Sequence, residues 1–220
     1  MTYSLIIVIA SLAGAPVIML AARLLRADNL SWGVRSLLWV VAGAVVLAVV
    51  RETGGSEAAR LVMGVAEPAL RSLTLGAVGA IAIMIAVGMV WALLRSGGVA
   101  VGDQAGFDRI VTVPAPRRLF VVTTAAVVEE VLYRGVAIGF GATVIGSPIL
   151  AAAISTLAFV IAHFGWKPSH LAPVAVGGGG MAVLYLVTGD LWACIIAHFI
   201  IDAMGFFFAP AMRALRRQHS

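Results

Sequence analysis

The sequence predicts an all-α polytopic membrane protein of about seven transmembrane helices. Three observations carry that prediction. The 220 residues are 62% hydrophobic and only 11% charged, with mean hydropathy +1.07; a soluble domain carries about twice that charge fraction. Seven apolar segments stand out, each near the ~20 residues that a bilayer core requires. Lysine and arginine gather in alternate loops, as membrane orientation demands.

In chain order the segments are Ser4–Leu25, Trp32–Val50, Leu73–Leu94, Arg118–Ile138, Pro148–Phe164, Leu171–Val187 and Leu191–Ala209. Each is predicted helical, because unpaired backbone groups in lipid are too costly for any open conformation. Ser4–Leu25 is long enough to span and has no basic stretch before it, so it reads as a first membrane helix and not as a cleavable signal. Two connections are long and polar. Arg51–Ser72 contains Gly54, Gly55 and Pro68; Arg95–Arg117 contains Gly97, Gly98, Pro114 and Pro116. Both read as loops with room for short interfacial helices. Trp32, Trp91, Trp166 and Trp192 fall at segment ends, where interfacial aromatics belong.

With seven helices, one side of the membrane receives 11 basic residues: three in Arg23–Arg35, four in Arg95–Arg118, Lys167, and three in the C-terminal tail. The other side receives only Arg51, Arg60 and Arg71. The bias predicts an outside N-terminus and a cytosolic C-terminus. Net charge +5 and pI ≈ 10.3 are thereby accounted for by loop arginines, and no nucleic-acid partner is expected. The single cysteine, Cys194, excludes an internal disulfide.

Ionisable groups inside membrane helices are expensive and mark function. Here they are Glu129, Glu130, Arg134, His198 and Asp202, with His163 near the end of its segment. Glu130 and Arg134 are four apart and share a helix face, as an ion pair would. Glu129 is turned about 100° away. Its own i+4 neighbour is Tyr133, so its partners must come from another helix. His198 and Asp202 again share a face, either as a self-contained pair or as part of a larger site. Glu129 lies 11 residues from Arg118, and His198 lies 11 residues from Ala209. Both therefore sit roughly 16 Å into the membrane. His163 joins them only if its helix ends below the membrane surface.

A carboxylate placed among imidazoles in a low-dielectric site can be poised to take a proton from water near neutral pH. A second imidazole can stabilise the oxyanion that follows. Peptide hydrolysis fits that set. Two histidines with carboxylates could also hold a metal, although the His-Glu-x-x-His helix of common zinc proteases is absent. Cys194 shares the face of His198 and reads as a small buried hydrophobe, with a thiol nucleophile as the alternative. Gly177–Gly180 allows close helix approach or local unwinding toward an extended substrate. His170, beside Lys167 and Pro168, reads as a loop residue at a cavity mouth.

"EEVLYRG" resembles the Glu-Glu-x-x-x-Arg motif of the CAAX protease and bacteriocin-processing (CPBP) family of intramembrane proteases. "FVIAH", Phe159 to His163, and "HFIID", His198 to Asp202, are similar to its second and third motifs, and "VTGDLWACIIAH" resembles the approach to the third. The likeness covers about Leu119 to Gly205. It implies a 118–209 catalytic core, preceded by 1–117 helices and loops and followed by a 210–220 basic tail, in one structural domain. It implies Glu129 as general base, assisted by His163, with His198 and Asp202 stabilising the tetrahedral intermediate. Glu130 and Arg134 would hold the helices. Tyr133, Phe159, Gly177 and Gly180 are candidates for substrate contact.

Asp202 departs from the family, where asparagine is commoner. An ionised aspartate cannot donate to an oxyanion, so Asp202 is either protonated or orients His198. No cofactor is expected; zinc on Glu129, His163, His198 and Asp202 is the alternative. The short, Ala/Gly/Val-rich chain is closest to bacterial members, which implies a bacterial cytoplasmic membrane and a membrane-anchored protein or peptide substrate. Two non-proteolytic readings stand beside this one. They are a binding or immunity scaffold, which would not need the intact Glu129, His163 and His198, and a proton-coupled transporter, for which no inverted repeat is visible.

Overall fold

The computed structural model describes residues 2–24, 32–64, 69–99, 112–163 and 168–208. Trp166, Lys167 and the 210–220 tail lie outside them, as does most of the second polar connection. Within the described residues, each of the seven apolar segments is helical. The elements are α1 (Thr2–Leu24), α2 (Trp32–Met63), α3 (Leu70–Ser96), α4 (Ala115–Glu130), a π-helical stretch (Val131–Phe140), α5 (Gly141–Ile145), α6 (Pro148–Ala162), α7 (Pro168–Thr188) and α8 (Leu191–Ala203), closed by a π-helical turn (Met204–Phe208). Among the described residues the only extended pairing is a single bridge between Gly64 and Asp190.

The expected loop over Arg51–Ser72 is corrected. Its first half is helix, broken once at Gly55, where φ is 63° and ψ is −157°. The helix resumes because Ala58 and Val62 return to the core at helical spacing, and both are buried. His170 is also corrected: it lies in the first turn of α7, with its ring edge-on to Trp91 at 5.1 Å. The connection into α6 uses familiar chemistry. Gly146 closes α5 in the left-handed region at φ 78°. Ser147 then caps α6 by accepting from the Leu150 amide at 3.2 Å, and Pro148 occupies the first helical position.

Three described stretches are long and apolar enough to cross a membrane: Leu70–Ser96, Ser169–Thr188 and Leu191–Phe208. On α3, Val78, Ile81, Ile85, Met89 and Leu93 are each more than half exposed. Such a face is stable in lipid and not in water. The opposite face of α3, with Gly76 and Ala80, packs on α8, and α8 also packs on α4. The π-helical stretch lies against α2 and α6, and α6 lies against α7. The chain is an integral membrane protein whose helices enclose Glu130, Arg134 and Asp190. One buried cluster, Val128, Leu132, Tyr133 and Phe159, underlies the site.

Candidate active site

α4 brings Glu129 and Glu130 to the middle of the bundle, and the wider π-helical turn follows at once from Val131. Turns of this kind often occur at functional sites. Despite the changed winding, Arg134 Nη1 still reaches Glu130 Oε1 at 2.9 Å, and both side chains are essentially inaccessible, at 1 and 0%. Arg134 Nη2 donates to the Gly178 carbonyl at 2.9 Å, and its guanidinium lies 4.9 Å over the Phe159 ring. A cation in this setting needs such a set of acceptors and a ring face to offset its desolvation.

Glu130 is more than half of a closed pair. Its Oε1 also meets His198 Nδ1 at 2.7 Å, 68 residues away in sequence. The expected Glu130–Arg134 ion pair is present, and His198 extends it. The contact also bears on His198 and Asp202. Their closest approach, Nε2 to Oδ2, is 3.6 Å, longer than a hydrogen bond, so His198 is held by Glu130 more firmly than by Asp202. Glu130 Oε2, Arg134 Nε and the Tyr133 hydroxyl are buried without a protein partner among the described residues.

The other ionisable groups are more accessible than Glu130 and Arg134. Glu129 is half-buried, and among the described residues Glu130, Arg134, His198 and Asp202 make ion pairs. His198 is 12% exposed and Asp202 28%. The helix carrying His163 ends at Ala162, with His163 as its C-cap at φ −97° and ψ 5°. Asp202 lies within the electrostatic reach of His198, Glu129, His163 and Glu130. His198 lies within that of Asp202, Glu130 and Glu129. Four helical segments thus converge their charges on one region.

Phe159 is a hub that sequence reasoning named only as a candidate contact. Its ring meets Tyr133 edge-on at 5.2 Å and His163 at 4.5 Å. Its carbonyl is 2.7 Å from His163 Nδ1. A carbonyl can only accept, so that nitrogen carries the proton, and in a neutral ring Nε2 holds the lone pair.

Gly177–Gly180 is helical throughout, which removes the local unwinding considered from sequence. A Cβ on Gly178 would lie 2.8 Å from the Phe159 ring, and one on Gly180 would lie 2.7 Å from Ile83. Those two glycines serve close packing. Cys194 is wholly buried and its Sγ faces the Met181 carbonyl at 3.9 Å; it is a core residue. Among the described residues, no three His, Cys, Asp or Glu side chains are grouped so as to hold a metal ion.

Sequence reasoning missed Asp190. It is buried, accepts from the Ala193 amide at 3.0 Å as the cap of α8, and accepts from the Ser72 hydroxyl at 2.6 Å. An aspartate immediately before an apolar helix was the available signal.

A family model described as Rce1-like, type II CAAX prenyl endopeptidase Rce1-like, matches residues 112–204. Neither a curated protein nor a solved structure matches the chain.

Proposed function

Because residues 112–204 belong to the Rce1-like family, a family of CAAX-type membrane proteases, we propose that the chain is an intramembrane endopeptidase that hydrolyses its substrate with a water activated by Glu129 and His163. Glu129 takes the proton from water as the oxygen attacks the peptide carbonyl. His163, held through Nδ1 by the Phe159 carbonyl, presents Nε2 as a second acceptor for that water. His198 is fixed through Nδ1 by Glu130. Its Nε2 lies toward Asp202, 3.6 Å from Oδ2, and with both nitrogens protonated it donates to the oxyanion. Glu130 accepts from His198 Nδ1 while also pairing with Arg134. Asp202, when neutral, adds a donor; when ionised, it orients His198. Collapse of the tetrahedral intermediate then passes the proton from Glu129 to the leaving amine.

The single observation that carries this reading is the 2.7 Å contact between His198 and Glu130. It sets the imidazole of the last helix beside the acid pair, with Glu129 and Asp202 on the accessible side. The substrate class that fits is a membrane-anchored protein cut near its C-terminus or within its membrane-embedded part. The loop arginines support an outside N-terminus and a cytosolic C-terminus, and the chain's composition supports a bacterial cytoplasmic membrane.

Purified protein in liposomes should cleave a quenched fluorescent prenylated CAAX peptide. Glu129→Gln should lower the rate by about 10²–10⁴ at unchanged Tm, because the amide keeps the shape and cannot accept the proton. Near-normal turnover by that variant would sink the assignment. Transport or scaffolding without any cleavage by the unaltered protein would replace it.

A further inference from the structure

We propose that the Tyr133 hydroxyl is a positioning group of the active site, holding the Glu129 carboxylate through one internal water. The inference rests on the proteolytic reading above. Tyr133 is 1% exposed, yet its hydroxyl has no protein partner among the described residues. The rest of the residue is fixed. The ring stands at 88° to Phe159, and the backbone carbonyl accepts from the Ser155 hydroxyl at 2.5 Å. Phenylalanine would pack equally well and avoid burying an unpaired hydroxyl, which is costly. Packing therefore does not account for tyrosine at this position.

The charges acting on Tyr133 are those of Glu129 and Arg134. Arg134 offers no acceptor, and its two terminal nitrogens already serve Glu130 and Gly178. Glu129 precedes Tyr133 by four residues, across the junction of α4 and the π-helical stretch; of the two carboxylates within a turn of the hydroxyl, Glu130 is sealed in the core and Glu129 is the half-buried one that a reacting water can reach. No direct hydrogen bond joins them, and polar groups at such separations are commonly bridged by water. A phenol and a carboxylate supply polar partners of the kind a buried water requires. With one oxygen so held, Glu129 keeps the other for the proton of the attacking water.

Tyr133→Phe tests this, since it keeps the ring and its contact with Phe159. On the prenylated CAAX peptide, kcat should fall about tenfold, the worth of one hydrogen bond, with KM unchanged and Tm equal or higher. A high-resolution structure of the unaltered protein should show an ordered water within hydrogen-bond reach of Tyr133 and Glu129, lost in the variant. Wild-type kcat in Tyr133→Phe, a joint fall in kcat and Tm, or no such water overturns the inference. Glu129→Gln measured alongside separates the two claims. If it is active, the proteolytic reading fails; if it is inactive while Tyr133→Phe is fully active, only the role of Tyr133 fails. The structural arm requires no substrate.

Discussion

Two buried carboxylates hold α8, and they are used in opposite ways. Asp190, at its N-terminus, spends both oxygens inside the protein, one on the Ala193 amide and one on Ser72. Glu130, two turns along at His198, puts one oxygen on both Arg134 and His198 and leaves the other without a protein partner. A buried polar group with all its bonds made is an anchor. One that shares an oxygen between a fixed cation and an ionisable ring couples the ring's protonation to that cation. The first arrangement suits a joint between helices, and the second suits a site where protons move.

The sharpest test removes the cation at the Glu130 end. Arg134→Ala should destabilise the protein by about 3–5 kcal/mol, the usual result of leaving one member of a buried pair behind. Thermal unfolding in detergent reads this directly. Lost activity at unchanged Tm would instead make Arg134 a substrate contact. At the other end, Asp190→Ala should cost about 2 kcal/mol through the lost cap and the stranded Ser72 hydroxyl, with activity per folded molecule unchanged. If Asp190→Ala abolished turnover while Tm held, the distinction between anchor and site would collapse. Ser72→Ala isolates one bond of that anchor and should lower stability by about 1 kcal/mol.

The smallest effect is expected at Asp202. Asp202→Asn should retain or improve cleavage, because asparagine donates without needing to be protonated. Exhaustive chelation should likewise leave activity intact, with elemental analysis well below one metal per chain. Stoichiometric zinc in active protein, together with an inactive Asp202→Asn, would turn the acids and histidines into ligands.

Much of the helical framework was legible because lipid imposes length and apolarity on every crossing segment. The segment ends proved harder. Gly54 and Gly55 read as loop punctuation, yet only Gly55 leaves helical geometry, and α2 resumes beyond it and continues to Met63. The π-helical stretch was not legible. Glu130 and Arg134 at i and i+4 suit an α-helix, and packing of that stretch against α2 and α6 accompanies the wider winding. Asp190 was legible and overlooked, because an acid before an apolar run is an ordinary cap in sequence, while its burial against Ser72 is not written there.

The sequence by itself determined that this chain is helical and membrane-embedded, and that its costly polar residues are Glu129, Glu130, Arg134, His163, His198 and Asp202. Hydrophobicity and local spacing act over a few residues, so they can be read along one chain. Only the tertiary structure decided which oxygen of which glutamate His198 meets, and that Phe159 gathers Tyr133, His163 and Arg134 on its ring. Those contacts bridge helices tens of residues apart, where direction and distance are set by how whole helices pack.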